Sequence, residues 1–469
     1  MTNASNGPAG GQAGELWGHP KGLYFIVFTE AWERFSFYGM QALLVLYMAT
    51  YLFQPGAVDN IIGFPAFRGV IEDVFGDLSV QALASQVFGL YVGLVYFAPV
   101  FGGYLGDRFV GRRNAVFIGG VLMAVGHFMM AFEPLFLFAL SALILGSGFL
   151  KGNLAAQVGD LYQKTDQRRD TAFSLYVMSI NVGAFVAPLV CGTLGELYGW
   201  HYGFGVAGVG MIVGLMIYLI GSGHLPKERN LKDKAVRPRL QQGDGVVIAA
   251  IILMLAITAL YWTAQTQVWN TYPLWIKGRV DREVLGFLTP VTWFQSLDSL
   301  AVLLLAPFVI WLWRRQSVRQ AEPDDVTKIA IGCAAFAIAN VWLALGEYQS
   351  GSGQVAIVWP VVYHFICAVG FLYIGPIALS LTSRAAPAAV NAMMVGSYYL
   401  AIFVGGIASG WLGRFYEKMS PEAFWLMHAG VVGAGAFLML VLKGGLLRAM
   451  KLDETRKTQA ESEPEAAKA

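Results

Sequence analysis

Apolar runs of helical length, separated by short polar clusters, recur about twelve times along the chain. A helix needs about 20 mostly apolar residues to cross roughly 30 Å of hydrocarbon, where its backbone groups must be bonded internally. The runs fall near 22–50, 82–104, 114–133, 136–158, 172–196, 202–221, 246–270, 286–313, 328–347, 355–381, 389–412 and 423–447. A closed barrel would instead show alternating segments of about ten residues. The pattern therefore predicts an all-α membrane protein with twelve transmembrane helices. Composition agrees: 56% of the 469 residues are hydrophobic and 13% are charged, unlike a set of soluble domains.

The net charge of +2 says little as a total, but its placement along the chain is informative. With a cytoplasmic N-terminus, the inner connections hold Arg108, Arg112 and Arg113, then Lys164, Arg168 and Arg169, then Lys227 to Arg239, then Arg314, Arg315 and Arg319. The outer connections are poorer in Lys and Arg; Lys277, Arg279, Arg282 and Arg414 are the exceptions. The positive-inside rule then predicts that both termini are cytoplasmic. The first twenty residues are Gly-rich and polar, without the pattern of a cleavable signal peptide, which suits a multi-pass protein of a bacterial inner membrane. Cys191, Cys333 and Cys367 fall within expected spans without metal-ligand spacing and are expected to be packing residues.

One long polar interior segment, Gly221 to Gly245, divides the spans six and six. The expected organisation is a first six-helix bundle over 1–220, a cytoplasmic linker over 221–245, a second bundle over 246–450 and a cytoplasmic tail over 451–469. This arrangement resembles the major facilitator superfamily, whose substrate site lies near the midplane between two rocking halves. The inner connection "GGYLGDRFVGRRN", Gly102 to Asn114, resembles that superfamily's signature. Its Asp107 among arginines is expected to form ion pairs that make and break as the halves move. The stretch from Tyr51 to Val80 is expected to be an outer loop with some helix, and the tail from Lys451 a charged, disordered or frayed segment.

Charges inside the spans carry the chemistry. The first span, "FTEAWERFSFYGMQALLVLYM" from Phe28, places Glu30, Glu33 and Arg34 within one turn. Spacing lets the guanidinium sit between the two carboxylates, and Phe37, Tyr38 and Gln41 continue roughly the same face. A rise of 1.5 Å per residue puts the triad about 12–18 Å above the inner boundary. An ionised side chain at that depth costs roughly 2.5–3.5 kcal/mol, so it should face the bundle interior, pair, and serve a pathway. Two carboxylates against one arginine make one of them a candidate for reversible protonation; a static packing cluster is the alternative. In span four, Lys151 stands among glycines about 8–10 Å above the inner boundary, within reach of Glu30 or Glu33 and of an anionic substrate group. Snorkelling to the inner surface is its alternative.

The first stretch, "EAWERFSFYG", resembles the Glu-x-x-Glu-Arg-Phe-x-Tyr-Tyr-Gly motif of the proton-dependent oligopeptide transporter family. "FSLYVMSINVG" in span five, with Tyr176 and Asn181, resembles the family's second signature, and Lys151 stands where the family has a lysine. The resemblance implies a proton-coupled symporter that imports di- and tripeptides by alternating access. It implies that Glu30, Glu33, Arg34 and Lys151 couple protons. It also implies that Arg34, Tyr38, Gln41, Tyr91, Lys151, Asn181, Trp262 and Tyr398 form the substrate cavity. Protons would be the coupling ion with no other cofactor, and the partners would be peptides and the lipid bilayer, with no nucleic acid and a monomeric state.

The second half departs from the family pattern. Thr266 and Phe371 stand where the family has glutamates, Gln41 where it has an arginine, and Tyr398 where it has a tryptophan. Asp298 stands where asparagine is commoner, the one acidic residue between Leu285 and Trp313. It is expected to replace part of the lost acidity, as a gate partner, a proton site or an acceptor for the substrate ammonium; a hydrogen-bonded packing role is the alternative. His127, His364 and His428 lie in spans but in no motif, and packing is expected of each. The loss of the glutamates leaves a carrier of a small non-peptide anion, or a non-transporting sensor, as alternatives. An enzyme is not expected, because metalloprotease, nucleophile-elbow and phosphate-loop motifs are missing.

Overall fold

The computed structural model describes residues 14–163, 166–226 and 240–450. Lys164, the linker from 227 to 239 and the tail from 451 to 469 lie outside the described residues. The chain runs through α1 (Lys21–Tyr47), α2 (Phe64–Phe75), α3 (Val80–Leu105), α4 (Arg112–Met129), α5 (Phe136–Asp160), α6 (Arg168–Ala187), α7 (Thr193–Leu197) and α8 (Trp200–Ile220). It continues through α9 (Asp244–Gln265), α10 (Thr271–Arg279), α11 (Val291–Val318), α12 (Asp325–Ser350), α13 (Val358–Ala385), α14 (Asn391–Gly413) and α15 (Pro421–Ala449). Two short hairpins lie at Glu15–Pro20 and Glu283–Leu288.

Among the described residues, eleven helical stretches are long and apolar enough to cross a membrane. The twelfth expected span is α4, whose first turn holds Arg112, Arg113 and Asn114 and so falls short in apolar composition. It nevertheless packs between α5 and α8 like a spanning helix. The eighth span starts at Val291, later than the expected 286, because Leu285 and Gly286 take positive φ in the hairpin and Pro290 then begins the helix. The outer loop contains α2, as expected. Ser79, Asp324 and Ser420 start α3, α12 and α15 by accepting bonds from backbone amides of the first turn.

Two interruptions shape the interior. Pro188 has no amide proton to donate, and the helix widens over Pro188–Gly192 before resuming as α7. A tighter turn at Thr266–Trp269 separates α9 from α10 and presents Trp269 to the first half.

The halves meet through two helix pairs, α3 with α14 and α6 with α11. These join the second helix of one half to the fifth of the other, twice, as a pseudo-twofold relation requires. At the end expected to be outer, Glu196 accepts from the amides of Val291 at 2.9 Å and Thr292 at 2.8 Å. Ser79 donates to Glu417 at 2.6 Å, and Arg414 donates to the Phe75 carbonyl at 2.7 Å. Gly89 lies directly against Gly406 and Gly410, leaving no room for a Cβ. That end is closed.

In the Gly102–Asn114 connection Asp107 forms an ion pair, as expected. Arg112 bonds Asp107 at 2.7 Å and Asp160 at 2.5 Å, while Arg113 donates to the Leu225 and Pro226 carbonyls. These partners belong to the first half, so the contacts fasten α5 and the segment after α8 to the α3–α4 turn.

Candidate functional site

The charged turn of α1 is inside the bundle: Glu30, Glu33 and Arg34 are 1%, 0% and 6% exposed. The spacing Glu-x-x-Glu-Arg stacks both carboxylates on one guanidinium. Arg34 Nε lies 2.8 Å from Glu30 Oε1 and 2.6 Å from Glu33 Oε2. Glu30 is further held by the Tyr176 hydroxyl, which donates to its Oε2 at 2.7 Å. Tyr176 reaches it because α6 comes against α1 at Gly183, where a Cβ would stand 2.3 Å from the Ala31 carbonyl oxygen. Glu33 has only its charge contact, since neither oxygen makes an aligned hydrogen bond. The two carboxylates therefore differ: Glu30 is anchored twice, while Glu33 is held only by its charge contact with Arg34.

Lys151 is brought to this cluster by α5, but not as an ion-pair partner. Its ammonium makes no hydrogen bond and lies over the ring faces of Phe37 at 4.0 Å and Tyr96 at 4.6 Å. It shares electrostatic contact with Glu33, Glu30 and Arg34. Two aromatic faces hold a cation without consuming its donors, so the donors remain open to a carboxylate. Neither direct pairing with Glu30 nor snorkelling is observed.

Of the other expected residues, Tyr38 and Tyr91 join the cluster. Tyr38 is half-buried, packs its ring 5.2 Å from Trp269 and has Arg34, Glu33 and Asp298 as electrostatic neighbours. Tyr91 is buried beside Glu33 and Tyr96. Gln41 is buried further along α1 with its carbonyl oxygen unpartnered. Asn181 is partly exposed and donates at 3.0 Å to the Val177 carbonyl of its own helix, so it is not drawn into the cluster. Trp262 and Tyr398 meet edge to face at 6.2 Å in the second half, and Tyr398 donates to the Gly375 carbonyl at 3.3 Å. Thr266 donates to the Trp262 carbonyl.

Asp298 meets no cation of the first half. Its Oδ1 lies 3.7 Å from His364 Nδ1, and its Oδ2 lies 3.5 Å from Gln265 Nε2. Sequence reasoning assigned packing roles to His364 and no role to Tyr96, Trp269 or Gln265. Tyr96 and Trp269 read as ordinary aromatic packing, and no spacing signal could have separated them from it. His127 is fully buried without a partner, and His428 bonds the Phe424 carbonyl within its own helix.

Twelve spanning helices in two halves, related by the α3–α14 and α6–α11 pairs around a buried charge cluster, define a major facilitator transporter. More narrowly, the PTR2 profile, which describes the POT family, matches residues 113–243 and 241–426, and the chain belongs to that family. It is 30% identical over 518 residues to the peptide transporter YePEPT of Yersinia enterocolitica subsp. palearctica, covering 94% of this chain and 97% of that one. It is 28% identical over 506 residues to a di-/tripeptide transporter of Lactococcus lactis subsp. lactis, covering 93% and 97%. A mutant of a peptide transporter POT, solved in complex with alafosfalin, superposes with a TM-score of 0.78 at 30% identity, over 94% of this chain and 98% of that one.

Proposed function

We propose that this chain is a proton-coupled symporter that imports di- and tripeptides across a bacterial inner membrane by alternating access. The observation that carries the reading is the arrangement around Arg34. Glu30 is doubly anchored, Glu33 is not, and Lys151 waits between two aromatic rings with its donors open.

In this cycle a proton moves onto Glu33, which weakens its hold on Arg34 and leaves the guanidinium and the Lys151 ammonium to receive the peptide carboxylate. Tyr38 and Tyr91 line the path beside them, and Trp262 and Tyr398 border it from the second half. Asn181 enters only if its amide leaves the Val177 carbonyl. Protons are the coupling ion, no further cofactor is required, the unit is a monomer in the bilayer, and no chemistry is done on the peptide. The relatives named as di-/tripeptide transporters support the substrate class.

Uptake of labelled dialanine into proteoliposomes, with and without an inward proton gradient, tests the proposal for the native chain and Lys151→Ala. Gradient-driven accumulation that the substitution abolishes is expected. No accumulation by well-reconstituted native protein would overturn it in favour of a non-peptide anion carrier or a sensor, both of which fit the neutral residues Thr266 and Phe371.

A further inference from the structure

We propose that His364 and Asp298 form a proton-sharing pair on the second-half wall of the cavity, and that this pair receives the cationic group of the substrate. The identity of that group as a peptide amino terminus rests on the peptide-carrier reading above; the pairing itself does not.

Asp298 is the accessible member of the pair, with 19% of its side chain exposed, while His364 is fully buried. The imidazole is oriented by its far nitrogen: Nε2 lies 2.9 Å from the Tyr272 hydroxyl, whose ring stacks on Tyr363 at 5.3 Å. The near nitrogen, Nδ1, has no hydrogen-bond partner and points at Asp298 across 3.7 Å. The carboxylate's other contact, to Gln265, is at the limit of a hydrogen bond. A carboxylate within a span needs a partner or a proton, and two long contacts leave this one under-satisfied.

Five other groups share electrostatic contact with it, and none of them carries a positive charge. They are Tyr38 from α1, Tyr261 from α9, Tyr272 from α10, and Tyr363 and Cys367 from α13. All are neutral near pH 7 in their ordinary states. The imidazole is the one side chain in this set that can accept a proton and become a cation. Protonated His364 makes the pair neutral. An arriving ammonium on the open side of Asp298 replaces that cation, the Nδ1–H bond breaks, and the proton leaves to cavity water. Proton and ammonium thus compete for one carboxylate. Affinity for an amine-bearing substrate rises with pH wherever the pair holds that proton, by up to about tenfold per unit for a one-proton exchange. Phe371, which occupies the place of the family's glutamate, is half-buried and apolar, so it offers no competing acceptor.

Two measurements on the full chain in nanodiscs test this. The first is histidine-selective NMR, with the His364 signal assigned by its loss in His364→Gln and its titration followed from about pH 5 to 9. A midpoint that differs between the native protein and Asp298→Asn is expected. The same midpoint in both, or no titration, overturns the pairing. The second is binding of trialanine and N-acetyl-trialanine, read from tryptophan fluorescence at about pH 5.5 and 7.5. The ratio of trialanine to N-acetyl-trialanine affinity, in which the shared carboxylate cancels, is expected to be several-fold larger at the higher pH, and His364→Gln is expected to abolish that change. A pH dependence of that ratio which His364→Gln leaves unchanged overturns the role in recognition. Should His364→Gln fail to fold, Tyr272→Phe, which frees the imidazole without altering charge, takes its place. If neither peptide binds the native protein, the peptide reading falls, and the titration still decides the pairing.

Discussion

Replacing Gly89 with alanine adds one methyl group at the crossing of α3 and α14. That Cβ would stand 2.4 Å from the Gly406 carbonyl oxygen and 2.8 Å from both N and Cα of Gly410. All three atoms are backbone, so no change of rotamer relieves the overlap. Ordinary van der Waals contact begins near 3.4 Å, and the two helices must part by about 1 Å. Overpacking of this kind costs about 1–3 kcal/mol. The cost falls on the state in which these helices touch and is relieved when the outer end opens. The ratio of outward-open to outward-closed protein should therefore rise roughly 5- to 150-fold. Spin labels at Asp77→Cys and Lys418→Cys, exposed positions flanking this end, would report it as a new long-distance population in double electron–electron resonance. Dialanine uptake should fall in parallel. Gly103→Ala on the same helix meets nothing within 4 Å and serves as the control. Distances and uptake in Gly89→Ala that match the control would refute the argument.

Glu196→Gln removes an acceptor from the clasp on the first turn of α11 and should shift the same distance distribution in the same direction, with uptake reduced. Arg279→Ala leaves the Glu347 carboxylate, 2% exposed, with the Trp275 indole but without its cation; a loss of about 3 kcal/mol is expected, read as a lower melting temperature. Lys151→Ala should abolish uptake while leaving the melting temperature nearly unchanged, because the ammonium makes no hydrogen bond to lose. Asp324, at the inner end of α12, is pushed up by burial but held below the ordinary carboxylate range overall by Lys443 and Thr327. Its stabilising effect is present above the unfolded-state value, about 3.9, and is lost as pH falls through the lower folded value. Thermal stability should drop on that acid side, and Asp324→Asn should flatten the drop.

Much of this molecule can be read from its sequence because the bilayer demands long, self-bonded helices. Hydropathy located the spans, including α4 despite its arginine-rich start. The missed start of α11 came from Leu285 and Gly286, whose positive φ makes a hairpin out of residues that look apolar enough to span. Glu30, Glu33 and Arg34 were legible because their interaction is local, within one turn. The aromatic cradle of Lys151 was not, since Phe37 and Tyr96 reach it from two other helices. The His364–Asp298 pair was hidden for the same reason: it depends on the register between α11 and α13, and a histidine in an apolar run carries no mark of what it faces. The inner arginines were legible as topology, but their partners on α5 and beyond α8 were not.

The cradle around Lys151 has a consequence for electroneutrality. Glu30, Glu33, Arg34 and Lys151 sum to zero when all are ionised, and the rings of Phe37 and Tyr96 lie against a lysine ammonium that no carboxylate bonds. In the proposed cycle, a proton on Glu33 leaves the group with one positive charge, and a substrate carboxylate restores neutrality. Either ligand alone leaves an unbalanced charge among buried groups, where the low dielectric magnifies its cost. Each therefore raises the affinity for the other by the same factor. The states with both or neither bound are the neutral ones. A carrier whose halves rearrange most readily in those two states moves its proton and its cargo together, with no separate device to enforce the coupling.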